Sequence, residues 1–193
     1  MVLLTGSKKI KTAVFISGTG SNLESLIKFS KLKNSPISID LIISNDGKAK
    51  GLIFAKRFKI KKKIFNFKGN ILVDRKLILL LKRNNISLIC LAGFMKILSQ
   101  NFIKNFKGKI LNIHPSLLPK YKGLNTHERA LKNKDKYSGC TVHFVNSRLD
   151  SGKTILQKRV TIRKKDTSKT LAKRILVQEH KLYPKAILKI FNL

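Results

Sequence analysis

The chain has 193 residues, of which 42 are Lys or Arg and 9 are Asp or Glu, for a formal net charge of +33. That length fits one domain with a substantial core, and no apolar run approaches the ~20 residues that span a bilayer. The opening Met1-Val2-Leu3-Leu4-Thr5 is too short for a signal-peptide core and is followed, not preceded, by lysines, so a cytoplasmic protein is expected.

A basic tail over residues 1–10 leads into Thr12–Ile16, an apolar run that reads as a buried strand. The turn Ser17-Gly18-Thr19-Gly20-Ser21-Asn22 follows, then a helix pattern with Leu23, Leu26 and Ile27 on one face. Strand, Gly-rich turn and helix together present free backbone N–H groups and a helix dipole to an anion; a plain strand-to-helix turn is the alternative. The stretch lacks the third Gly of a dinucleotide fingerprint and the Gly-Lys-Ser/Thr of a P-loop, which favours a single phosphate. Ile37–Ile43 is a second strand ending in the turn Ser44-Asn45-Asp46-Gly47. A helix over Ala49–Phe58, a short strand over Lys63–Phe67 and a helix over Ile71–Arg83 come next, with Arg75 read as solvated surface on pattern alone. Ile86–Ala92 is a buried strand that runs into Gly93-Phe94-Met95-Lys96-Ile97-Leu98 and a short helix at Gln100–Phe106.

The strand Lys109–Ile113 carries Asn112 and is followed by His114 and Pro115. Residues i and i+2 of an extended segment share a face, and Pro115 biases His114 towards an extended conformation. An amide donor beside an imidazole at a strand exit suits polarising and protonating a carbonyl oxygen; capping of backbone groups at a strand end is the other reading. Thr126 is expected to N-cap a helix to about Asn133. Tyr137–Val145 and Thr154–Ile162 read as strands joined by a hairpin-like loop, with His143 a satisfied strand histidine. Ser168–Phe191 closes the chain as a long helix with a kink at Pro184, and Glu179 reads as an ordinary surface acid. Cys90 and Cys140 stand apart in apolar segments as buried free thiols, and the four histidines show no metal-ligand spacing. Strands alternating with helices predict an α/β fold with a mainly parallel twisted sheet, helices on both faces and antiparallel strands near the C-terminal end. Ligands then lie at the carboxyl ends of the strands.

Five stretches, in this order, resemble the phosphoribosylglycinamide formyltransferase family of folate-dependent enzymes. They are Ile16–Leu23, Leu91–Ser99, Leu111–Tyr121, Val142–Val145 with Asp150-Ser151-Gly152, and Gln178-Glu179-His180. The resemblance implies a single Rossmann-like formyltransferase domain over residues 1–193. Its implied reaction is transfer of a formyl group from 10-formyltetrahydrofolate, a co-substrate, to the amine of glycinamide ribonucleotide, with no metal. It implies that Gly20, Ser21 and Asn22 hold the ribonucleotide phosphate and Glu179 its ribose hydroxyls. It further implies that Arg75, Met95, Lys96, Ile97, Leu98 and Asn112 line the folate site, and that Asn112, His114 and Asp150 are the catalytic trio. A carboxylate near an imidazole favours its charged form, so Asp150 is expected to keep more of His114 protonated at neutral pH.

Some positions depart from the family pattern: Thr19 stands for an expected Asn, Lys96 for an expected Arg, and Ser151 and Lys153 alter the turn after Asp150. Lys96 keeps charge without the planar fork of Arg, so weaker folate affinity is expected. Rival readings are a methionyl-tRNA formyltransferase, for which no C-terminal RNA-binding domain is expected here, and a non-catalytic basic nucleic-acid-binding protein. The latter needs basic and aromatic residues clustered on one surface, whereas Lys is spread along the chain with abundant Ile and Asn, as A/T-biased coding produces. The expected partners are small molecules, with no specific nucleic acid, incidental salt-sensitive RNA binding, no membrane, and a monomer or homodimer.

Overall fold

The computed structural model describes residues 9–67 and 71–193; the basic tail lies outside the described residues as far as residue 8. In chain order the elements are β1 (Ile10–Ile16), α1 (Ser21–Ser30), β2 (Ile37–Ser44), α2 (Ile53–Arg57), β3 (Lys61–Ile64), α3 (Ile71–Arg83), β4 (Leu88–Leu91), α4 (Gln100–Asn105), β5 (Lys109–His114), α5 (Thr126–Lys132), β6 (Tyr137–Phe144), β7 (Thr154–Thr161) and α6 (Ser168–Ile190). The strands form one seven-stranded sheet in the order β3-β2-β1-β4-β5-β6-β7. Pairings from β3 through to β5 are parallel, while β5–β6 and β6–β7 are antiparallel. This is the sheet the sequence predicts.

Side-chain alternation along β1 builds the layers. Val14 and Ile16 join Leu23, Leu26 and Ile27 of α1 and Leu171 and Ile175 of α6 on one face. Ala13 and Phe15 join Leu77 and Leu81 of α3 and Phe102 of α4 on the other. Because both faces are covered, β1 reads as a continuous apolar run. Each large side chain buried this way contributes roughly 1.5–3 kcal/mol. Cys90 and Cys140 are free and buried, and burial pushes both thiols up to about 12; they pack and do not react.

Several boundaries differ from expectation. The strand expected at Lys63–Phe67 forms at Lys61–Ile64 instead, an exposed edge that carries no burial signal. Phe67 leaves the ladder to pack edge-on against Phe94, 4.9 Å between ring centroids. The helix expected over Ala49–Phe58 opens with a 3₁₀ turn at Lys50–Leu52 before α2. There the Gly51 amide donates to the Gly18 carbonyl at 2.9 Å, and a Cβ on Gly51 would lie 2.8 Å from Gly20 Cα. The turn is thus tied to the glycine loop. Thr126 is the first residue of α5, not its cap; Asn125, left-handed at φ 56°, takes the N-cap position.

At Pro184, α6 continues as one helix. Proline cannot supply the amide that would bond the His180 carbonyl. Ser25 Oγ of α1 donates to that carbonyl from 3.1 Å, so the missing bond is made between helices. Tyr183 Oη lies 3.1 Å from the carbonyl oxygens of both Leu91 and Leu111, sharing its one proton between neighbouring strands. That bond seats α6 under β4 and β5, one residue short of Asn112. The chain winds outward from β1 to β3 and then returns to the other side of β1 at β4. In open α/β sheets, ligands lie at such a reversal, beyond the carboxyl ends of the strands. The turn after β1, the segment after β4 and the end of β5 all open there.

Candidate active site

Asn112 and His114 stand at the carboxyl end of β5, and Asp150 reaches them from the loop between β6 and β7. Antiparallel pairing sets Asn112 directly opposite His143 and His114 opposite Thr141. His114 Nε2 lies 2.8 Å from the Tyr121 carbonyl oxygen. A carbonyl only accepts, so this nitrogen carries a proton. The other, Nδ1, is 3.3 Å from Asp150 Oδ2. The Gly123 amide donates to the same Asp150 oxygen at 2.9 Å, while Asn112 Nδ2 donates to Asp150 Oδ1 at a long 3.4 Å. His143 Nδ1 faces the Phe144 carbonyl at 2.8 Å. In the neutral ring its Nε2 therefore accepts from Asn112 Nδ2 at 3.2 Å. That bond fixes which way the Asn112 amide points.

His114 departs from expectation in its charge. Burial pushes the imidazole below its ordinary value, outweighing the upward pulls of the Tyr121 carbonyl and Asp150. Burial thus favours the neutral ring, in which the proton held by the Tyr121 carbonyl leaves Nδ1 bare. Asp150 does pull the imidazole upward, as expected, but burial is the larger influence, with only 5 % of His114 exposed. For Asp150 itself burial pulls upward, but the contacts from His143, the Gly123 amide and His114 prevail, and its carboxyl is held below the usual range. A neutral imidazole beside an ionised carboxylate is set to accept a proton.

A second polar cluster lies behind the glycine loop. Gly20, left-handed at φ 77°, is the N-cap of α1 and makes no side-chain cap bond. The first-turn amides that follow it, at Ser21 and Asn22, have no intrahelical carbonyl to bond. A Cβ on Gly20 would lie 2.6 Å from Gly51 Cα, which with the positive φ requires glycine there. Asn22 Nδ2 donates to Glu179 Oε2 at 2.6 Å, joining α1 to α6. Burial pushes the Glu179 carboxyl up, the Asn22 bond opposing it only in part. Glu179 is thus a buried residue, not the surface acid its pattern predicts. Asn22 Oδ1 is buried with no hydrogen-bond partner.

Beside the Asn112–Asp150 cluster an open crevice has apolar walls, among them Leu91, Phe94, Ile97, Leu98 and Val145, with Asn112, His143 and Asp150 in its polar part. Lys96 and Arg148 also line it. Met95 is largely exposed, and its amide donates to Ser17 Oγ at 2.7 Å, tying this segment to the glycine loop. Arg75 stands on the exposed side of α3 and does not line the crevice.

The formyl transferase family profile matches residues 10–187. The chain belongs to the formyl transferase family. It is 44 % identical over 180 residues to phosphoribosylglycinamide formyltransferase of Haemophilus influenzae, covering 92 % of this chain and 85 % of that protein. It is 45 % identical over 183 residues to the human trifunctional purine biosynthetic protein adenosine-3, covering 93 % of this chain but only 18 % of that protein. The crystal structure of phosphoribosylglycinamide formyltransferase from Brucella melitensis superposes with a TM-score of 0.88 at 41 % identity, covering 95 % of this chain and 96 % of that one. In this formyl transferase, sequence reasoning missed His143, Tyr121 and Gly123 as parts of the site. The signal for His143 was available: antiparallel return of β6 onto β5 puts it across from Asn112. Tyr121 and Gly123 act through backbone atoms, which residue type does not announce.

Proposed function

We propose that this chain transfers the formyl group of 10-formyltetrahydrofolate to the amine of glycinamide ribonucleotide, working as a single formyltransferase domain in the cytoplasm. One observation carries the reading: Asn112, His114 and Asp150 converge at the carboxyl edge of the sheet, beside an apolar crevice. The Haemophilus and Brucella relatives bear the name of that activity.

The ribonucleotide phosphate would sit on the amides of Gly20, Ser21 and Asn22, where the α1 dipole favours negative charge. Asn22 Oδ1 and Glu179 would take the ribose hydroxyls. The crevice walls fit a flat apolar ring, with Ile97 and Leu98 on one side and Lys96 supplying a cation for an acidic tail. The folate supplies a formyl carbon carried on nitrogen. His114 Nδ1 accepts the proton of the attacking amine and then, as imidazolium beside Asp150, gives a proton to the departing nitrogen. Asn112 Nδ2, kept in place by His143, exchanges its long contact with Asp150 Oδ1 for the formyl oxygen as negative charge gathers there, a contact worth about 3–4 kcal/mol. Asp150 stays ionised and stabilises the imidazolium.

The test is formyl transfer from 10-formyltetrahydrofolate to glycinamide ribonucleotide by wild type and His114→Ala. Turnover by the wild type that falls roughly 10²–10⁴-fold in the variant is expected. Absence of wild-type turnover with this amine would overturn the substrate assignment, and an undiminished variant would overturn the role of His114.

A further inference from the structure

The His114–Asp150 pair is held from outside by one short loop. Within Lys120–Gly123, the Tyr121 carbonyl takes the His114 Nε2 proton at 2.8 Å and the Gly123 amide donates to Asp150 Oδ2 at 2.9 Å. Two residues of chain therefore set where both members of the pair sit. Tyr121 holds its carbonyl in place from a left-handed backbone, φ 56°, a conformation that costs of order 1 kcal/mol or more for a non-glycine residue and persists only where its surroundings enforce it.

The enforcement comes from the far side of the tyrosine. Its hydroxyl donates to Asp135 Oδ2 at 2.7 Å and accepts from Asn133 Nδ2 at 2.9 Å. The Arg129 guanidinium lies 5.1 Å over its ring, and Arg129 Nη1 donates to the Lys122 carbonyl at 2.7 Å. Lys120 Nζ reaches Asp135 as well, at 3.3 Å, and Ser116 Oγ donates to the Lys120 carbonyl at 2.6 Å. None of Asn133, Asp135 or the Tyr121 hydroxyl bonds His114 or Asp150. They bond the loop that does.

We propose that Tyr121 and Asp135 are positioning residues: the Tyr121 hydroxyl–Asp135 bond fixes the loop carbonyl that keeps the proton of neutral His114 on Nε2, and so leaves Nδ1 as the nitrogen that accepts the amine proton. If the carbonyl drifts, nothing holds the proton on Nε2. The ring then divides between tautomers, and the fraction with a proton on Nδ1 presents a donor where an acceptor is needed. The kinetic part of this inference rests on the formyl-transfer reading; the tautomer part does not.

The experiment pairs kinetics with ¹⁵N NMR of the His114 ring. Tyr121→Phe keeps the aromatic ring under Arg129 and removes only the hydroxyl. It is expected to lower kcat by roughly tenfold, within the loss of up to about a hundredfold that ångström-scale misplacement brings, with KM for both substrates little changed. His114 would shift from a pure Nε2–H spectrum to a mixture. Asp135→Ala is expected to do the same. Asp135→Asn, which still offers an oxygen to the tyrosine, is expected to restore most of kcat and the single tautomer. Asp150, His143, Arg129 and His127 are the charged or titratable groups acting on His114, and none is altered by these substitutions.

A drop in melting temperature with kcat and the His114 spectrum unchanged would show a merely structural bond and overturn the proposal. So would Asp135→Asn behaving like Asp135→Ala. Should Tyr121→Phe fail to fold, the Asp135 pair decides by the same readouts. If the wild type shows no formyl transfer, the functional reading fails while the NMR comparison still decides whether this loop sets the tautomer.

Discussion

Two carboxylates withdrawn from water meet opposite fates in this molecule. Asp150 is held below the ordinary carboxylate range and Glu179 above it. Burial raises both, so the difference lies in their partners. Asp150 accepts from the Gly123 amide at 2.9 Å and from Asn112 Nδ2 at 3.4 Å, and lies where a proton arriving on either neighbouring imidazole would face it. Glu179, the deeper of the two, has a single neutral amide, that of Asn22 at 2.6 Å. Donors around Asp150 favour its charged form, whereas burial of Glu179 with one amide partner favours its protonated form. Depth alone says nothing about charge until the donors around the group are counted.

The strongest way to break this contrast is Asp150→Asn. Without the carboxylate, only the Tyr121 carbonyl is left to oppose burial at His114, so the imidazole titrates still lower and its conjugate acid is less stable. A loss of roughly 10²-fold in kcat is expected, the lower end of what acid–base groups contribute, with the acidic limb of the pH–rate profile moved to lower pH. An unchanged rate and profile would remove Asp150 from the mechanism.

Glu179→Gln sharpens the contrast through stability. A carboxyl with a raised folded-state value binds its proton more tightly folded than unfolded, so its ionisation destabilises the fold as pH rises through the folded value. Gln keeps an oxygen for Asn22 Nδ2 and carries no charge. Its melting temperature at pH 7 should therefore exceed that of wild type, and the gap should close on acidification. Asp150→Asn should do the reverse: the lowered carboxyl stabilises above its unfolded value of about 4, and that contribution disappears as pH falls through the still lower folded value. The same Glu179→Gln protein should show a raised KM for the ribonucleotide, because one carboxyl oxygen able to accept from a ribose hydroxyl becomes an amide donor. Opposite signs in thermal melts across pH are the check; like signs would refute the assignment.

The smallest effect is expected from Ser25→Ala. It leaves the His180 carbonyl, next to Glu179, without the donor that replaces the proline amide. A cost of about 1 kcal/mol, or ~2–4 °C in Tm for a chain of this size, should appear in a melt with kcat unaffected.

These comparisons show what a sequence displays and what it conceals. The sequence of β1, glycine loop and α1 was legible because a strand covered on both faces is continuously apolar and Gly20 marks a left-handed corner. Asn112 and His114 were legible as a same-face pair. The protonation of His114 was not, since it is a sum in which burial by distant chain outweighs a neighbouring carboxylate. Glu179 read as a surface acid because a helical stripe does not reveal that α1 will cover its margin. The β3 boundary failed for the opposite reason: Lys61, Lys62 and Lys63 bury nothing, so the ladder left no trace in their composition.

Those three lysines have a consequence for the molecule in a crowded solution. A sheet that does not close into a barrel ends in strands with unsatisfied amides and carbonyls, and such an edge is a template on which a second copy can add itself. β3 is one terminus of the sheet, and a row of ammonium groups there makes edge-to-edge approach of two identical chains repulsive. At the opposite terminus, β7 carries Lys158 and Arg159 on exposed positions. The surplus of positive charge thus guards both open ends of the sheet against runaway strand addition, at no cost to the core.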